Sequence, residues 1–143
     1  MFQIESSITI NKPIDEVFTF ISDNENDPKW CVPVVETTRV VGDAPGANTR
    51  YTFASKADLF MLRGEFTILE FEPPIRVTWE GTSSVNRFSG AYSLEASEGG
   101  TLLTESATLE AKWFLRLMES SMSRQVEASV VKQLQLLKHL LEN

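Results

Sequence analysis

The chain has 143 residues, enough for one domain with a sizeable core. Apolar residues make up 42% of it and charged residues 23%, a balance that excludes disordered and collagen-like chains. With 20 acidic and 13 basic residues the net charge is −7, a field that repels phosphate backbones and anionic lipid heads, so nucleic acid and membrane surfaces are expected to be poor partners.

The first element is a strand. Phe2, Ile4, Ser6, Ile8 and Ile10 alternate with Gln3, Glu5, Ser7, Thr9 and Asn11, the period of a sheet with one buried face. Lys12-Pro13 ends it and opens a short helix: proline suits the first turn, Asp15 and Glu16 sit at the positive end of the helix dipole, and Ile14, Val17, Phe18 and Ile21 fall on one side. Ser22 to Val34 is polar, interrupted by Pro28 and Pro33, and reads as a loop or a second short helix. Val35–Val41 and Thr49–Lys56 are strands of a hairpin divided by Gly42-Asp43-Ala44-Pro45-Gly46. Further strand-like runs cover Leu59–Phe71, Ile75–Gly81, Phe88–Ala96 and Leu102–Glu110. Their connections are short, which favours antiparallel neighbours. Gly64, Gly81 and Gly90 stand inside these runs, where glycine marks bends or bulges, and bends at similar heights would curl the sheet. After Thr101 there is no Gly or Pro, and Leu115, Met118, Met122, Val126, Val130, Leu134, Leu137 and Leu141 recur every three or four positions. That spacing predicts one long amphipathic helix, about 40 Å at 1.5 Å per residue, whose apolar stripe needs a sheet beneath it. The fold class is therefore α+β: a seven-stranded curved antiparallel sheet wrapped around a C-terminal helix, in one domain over residues 1–143.

This order of elements resembles the START-like (SRPBCC) superfamily of polyketide cyclase/dehydrase and lipid-transport domains, the helix-grip fold. The resemblance rests on Ile10-Asn11-Lys12-Pro13-Ile14-Asp15-Glu16-Val17-Phe18 leading into the first helix, and on Asp23, Trp30 and Val34. It continues in the turn Ile68-Leu69-Glu70-Phe71-Glu72-Pro73-Pro74 and the ending Leu137-Lys138-His139-Leu140-Leu141-Glu142. It implies a ligand cavity between sheet and long helix, closed at its mouth by the loop that carries Trp30. It implies no reaction, since carriers, receptors and enzymes share the fold.

Within the last strand, Leu103, Glu105, Ala107 and Leu109 share one face, so the apolar set carries Glu105 inward. An inward carboxylate finds a partner, takes up a proton or keeps water beside it, and one with a raised pKa can act as general acid or base. Tyr51, Phe53, Phe60, Phe66, Trp79, Phe88 and Tyr92 are also inward in phase. A pocket lined by aromatic rings with few polar groups suits a small molecule, although a plain core uses the same residues. Trp30 joins this set, with an exposed partner contact as its competing role. Met118 and Met122 place adaptable side chains on the first half of the helix stripe, which puts the cavity under Leu115–Val126 and solid core under the later turns.

Other chemistry finds little support. His139 is the only histidine and lies near the end of the last helix, and Cys31 is the only cysteine, so neither a Ser-His-Asp constellation near the pocket nor a His/Cys metal site is expected. Gly99-Gly100 is a hairpin turn and not a phosphate loop. No cofactor is expected. No run approaches the ~18 consecutive apolar residues of a membrane span, and no basic segment followed by an apolar stretch opens the chain, which points to the cytoplasm. The expected function is binding of a small hydrophobic or amphipathic molecule. A polyketide cyclase/dehydrase-like enzyme using a pocket Glu or Tyr and a protein-interaction module are the alternatives. A free sheet edge could support a homodimer.

Overall fold

Seven strands hydrogen-bond in the order β1-β7-β6-β5-β4-β3-β2, every neighbouring pair antiparallel, in a computed structural model that describes residues 1–57 and 59–143. They are β1 (Phe2–Ile10), β2 (Val34–Val41), β3 (Arg50–Ala57), β4 (Phe60–Glu72), β5 (Arg76–Ser83), β6 (Asn86–Ser97) and β7 (Gly100–Ala111). Each expected strand is present, with its ends within two residues of those the alternation suggests. Strands β2 to β7 run as a meander, because their connections are too short for anything but hairpins. The long link belongs between β1 and β2, at opposite edges of the sheet, and it contains α1 (Ile14–Ile21) and a 3-10 segment, Asn24–Lys29. The polar stretch thus contains a short helical segment. Asp23 caps it by accepting from the Glu25 amide at 3.2 Å. On α1, Val17, Phe18 and Ile21 are buried, with Phe18 set edge-on against Phe71 at 5.4 Å.

The sheet curves, and the interior glycines mark a repeated packing device. Three successive strand pairs each oppose an aromatic residue to a glycine: Phe53 to Gly64, Phe66 to Gly81 and Trp79 to Gly90. In two of them the ring lies over the glycine. A Cβ at Gly90 would stand 2.5 Å from Trp79 Cζ2, and one at Gly64 would stand 2.7 Å from Phe53 Cζ. The absence of a side chain lets a large ring lie down on the next strand, inside the curve.

The C-terminal helix differs from the single rod that the spacing suggested. Residues Trp113–Met118 form a 3-10 segment, and α2 runs from Glu119 to Glu142, about 36 Å at 1.5 Å per residue. Only its second half holds buried residues, Val130, Gln133, Leu134 and Leu137; from Glu119 to Ser129 none is buried, and half-buried Val126 packs against the core. Burying each of the three aliphatic side chains contributes roughly 1.5–3 kcal/mol. Polar clips hold the same end. Lys138 Nζ donates to the Thr9 carbonyl at 2.6 Å, and the Glu142 carboxylate accepts from the Asn11 amide at 2.7 Å. No helix of the described residues is long and apolar enough to cross a membrane.

Candidate functional site

The concave face of the sheet has two levels. Toward the β7–α2 junction, register aligns Tyr51, Phe66, Phe88 and Leu109, with Phe53 one step nearer the junction and Trp79 and Ala107 next below. Phe53, Trp79 and Phe88 are only half-buried although they face inward, and Met122, Val126 and Ser129 of α2 are half-buried as well. Both surfaces therefore stay partly open at this level of the fold. The rings there touch one another: Phe53 meets Phe88 edge-on at 5.8 Å and lies 6.0 Å from Phe66, which in turn stacks on Tyr51 at 5.1 Å.

Below this level the interior is filled and polar. Glu105 is 6% exposed, as its strand phase predicts, and accepts a hydrogen bond at 2.9 Å from the amide of Gln133 on α2. Its cross-strand neighbours are Ser6 on β1 and Tyr92 on β6. Tyr92 packs between Trp79, at 4.6 Å, and Trp30, at 5.8 Å. The 3-10 segment brings a second buried carboxyl, Asp27, held by the Asn24 amide at 3.2 Å. The Asp27 carbonyl also accepts from the amides of Trp30 and Cys31, which turns both residues into the interior.

Among the described residues no cation pairs with these two acids, and their protonation reflects it. Burial pushes Glu105 up to about 7, opposed by the hydrogen bond from Gln133. Asp27 is raised well above the carboxylate range, chiefly by burial and further by the charges of Glu105 and Asp23, with the Asn24 bond opposing. Burial likewise raises the Tyr92 hydroxyl and the Cys31 thiol, and the Glu105 charge adds to both. Near neutrality Glu105 can therefore hold or release a proton beside a tyrosine hydroxyl, which is the equipment of acid/base chemistry. Two donors nearby are unused: Trp30 Nε1 and the Tyr51 hydroxyl find no hydrogen-bond partner among the described residues. Arg39 and the Asn24 backbone lie near enough to the Tyr51 hydroxyl to oppose the rise that burial causes there, but neither meets it with hydrogen-bond geometry. Among the described residues no three His, Cys, Asp or Glu side chains converge to hold a metal ion.

The residues singled out from sequence thus separate into groups. Phe53, Trp79, Phe88 and Met122 are half-buried, and Phe66, Tyr51, Tyr92 and Glu105 are buried. Three expectations are corrected. Trp30 neither closes a mouth nor faces a partner; the turn after the 3-10 segment carries it to full burial behind Tyr92. Phe60 is inward in phase but 61% exposed, because it starts β4 at the end of the sheet that α2 leaves uncovered. Met118 is 55% exposed, since the chain is still 3-10 there and has not joined the helix stripe. Asp27, Asn24 and Gln133 were not foreseen. Gln133 had a signal of the same kind as Glu105, a polar residue in phase with Val130 and Leu137 on an apolar stripe.

A curved antiparallel meander gripping one long C-terminal helix defines the helix-grip class. The chain belongs to the family described as polyketide cyclase / dehydrase and lipid transport, whose model matches residues 1–142. Among solved structures it is similar to TTHA0849 from Thermus thermophilus, at 18% identity and a TM-score of 0.82 over 96% of this chain and 95% of that one. It is also similar to the Zhui aromatase/cyclase from Streptomyces sp. R1128, at 13% identity and a TM-score of 0.79 over 99% and 93% of the two chains. Ara h 8.0201 aligns over 99% of both chains at 18% identity, with a TM-score of 0.73. At these identities the likeness is one of fold. No match was found among curated proteins.

Proposed function

We propose that this chain binds a small, mainly apolar molecule in the gap between the sheet and the first half of α2, as a carrier or sensor. One observation carries the reading: inward rings of Phe53, Trp79 and Phe88 stay half-exposed where α2 buries nothing from Glu119 to Ser129. A filled core would bring helix and rings together. A guest that covers the rings and the Met122–Ser129 face instead would gain about 25 cal/mol per Å² of apolar area removed from water. Glu105 and Tyr92 at the floor would meet its polar end. Native mass spectrometry of freshly purified protein, followed by titration with a hydrophobic dye, tests this: co-purified ligand or dye binding in the gap is expected. Apo mass together with no dye binding would overturn it.

A cyclase/dehydrase-like enzyme is the second reading, favoured by the buried Glu105 that titrates at about 7 beside Tyr92. Here Glu105→Gln would retain dye affinity and abolish proton exchange into a bound carbonyl compound, followed by deuterium incorporation. Exchange that equals the rate in buffer would exclude it.

A further inference from the structure

The sheet end that α2 leaves uncovered has a rim of large apolar side chains with no cover. On one side, the β3–β4 turn presents Leu59, fully exposed, and Phe60. On the other, the 3-10 segment before α2 presents Trp113, 81% exposed, and Leu117, fully exposed. The β5–β6 turn joins the two sides: the Ser84 amide donates to the Arg63 carbonyl at 3.3 Å, and the Lys112 amide to the Val85 carbonyl at 2.9 Å. These side chains therefore share one end of the sheet.

Charge is distributed unevenly about this rim. Residues 56–65, 85–87 and 110–124 carry six of the 13 basic residues, Lys56, Arg63, Arg87, Lys112, Arg116 and Arg124, against four of the 20 acidic ones. The rim is thus net basic on a chain of net charge −7, and the whole-chain charge misleads about this face. Lys56, Arg63 and Arg124 are exposed, and Lys112 is half-buried. Aromatic and leucine side chains on protruding turns, flanked by cations, match the boundary between lipid heads and acyl chains.

We propose that this rim is a membrane-docking surface for anionic bilayers, seating Leu59, Phe60, Trp113 and Leu117 at the acyl boundary and Lys56, Arg63, Lys112 and Arg124 among the headgroups. Docking would press the open end of the gap against the hydrocarbon phase. A second copy is disfavoured as occupant, because two such rims face to face would oppose like charges. The inference stands apart from the ligand reading, since docking requires no guest in the gap.

Flotation of the purified chain with vesicles tests it. Binding is expected to vesicles of phosphatidylcholine mixed with phosphatidylglycerol, weakening with added salt. At about five-fold per cation, Arg63→Ala with Lys112→Ala should weaken binding to the mixed vesicles about thirty-fold and change binding to pure phosphatidylcholine little. Trp113→Glu with Leu117→Glu should abolish flotation on both, with an unchanged circular dichroism spectrum because both side chains are exposed. Three results would each overturn the proposal: no flotation with the anionic vesicles, flotation indifferent to both variants, or a dimer in sedimentation that Leu117→Glu converts to monomer, which would make the rim a self-interface.

Discussion

Replacing Glu105 by glutamine keeps the shape of the side chain and an oxygen to accept from Gln133, but removes a charge that the interior does not neutralise. In the folded chain Glu105 titrates at about 7, against 4.5 when solvated. The sign follows from proton counting. Below about pH 4.5 both states hold the proton and the residue is neutral to stability. Between 4.5 and about 7 the unfolded chain has lost its proton while the folded chain keeps it, so stability falls as pH rises, and it levels off above 7. At 1.36 kcal/mol per pKa unit the loss amounts to about 3 kcal/mol. Glu105→Gln is expected to match the wild type near the acid end of this range and to exceed it by up to about 3 kcal/mol at about pH 8, a rise of roughly 1–2 M in the urea midpoint. Asp27 is raised for the same reason and steepens the decline in both proteins, less so in the variant, where the Glu105 charge no longer adds to its shift. Urea unfolding followed by tryptophan fluorescence across this range is the assay. A Gln variant less stable than the wild type at about pH 8, or wild-type stability that rises from pH 5 to 8, would refute the reasoning.

The two halves of α2 should respond differently to truncation. Leu134→Ala is expected to cost about 2–5 kcal/mol of unfolding free energy and Met122→Ala less than about 1 kcal/mol, and equal costs would mean the first half is packed. Gly90→Ala drives a methyl into the Trp79 ring and toward the Ser106 carbonyl, so chemical denaturation should register a loss of about 1–3 kcal/mol. If it is neutral, the ring-on-glycine packing is not needed. Tyr51→Phe removes a buried hydroxyl that lacks a partner among the described residues and should leave the melting temperature unchanged or raise it by a few degrees, about 1 kcal/mol at most. A drop of that size would reveal a hydrogen bond at this hydroxyl.

Strand alternation made the sheet legible, because the period of two is enforced along its whole length by one buried face. The inward position of Glu105 followed from the same rule. What the alternation cannot carry is how far a cover extends. Phe60 has the correct phase and stands in solvent, since phase says which face a residue occupies and not whether anything lies over that face. The helix spacing failed similarly at its start: Leu115 and Met118 fit the stripe, yet the turn from β7 takes up Trp113–Met118 as 3-10, and α2 holds buried residues only from Val130 onward. Asp27 and Asn24 were hidden for another reason. They sit in a polar stretch whose default is solvation, and their burial depends on the 3-10 turn pairing positions three apart, together with the long-range fold of that segment against the sheet. The same segment buries Trp30, the residue that its polar neighbours had suggested lay at the surface.

Methyl resonances of the chain, followed during titration with 1-anilinonaphthalene-8-sulfonate, test the occupancy of the gap most directly. Met122 and Val126 are expected to shift with saturation while Val130, Leu134 and Leu137 stay in place. Shifts confined to Leu59 and Leu117 on the rim, or none at all, would contradict a ligand site between the sheet and the first half of α2.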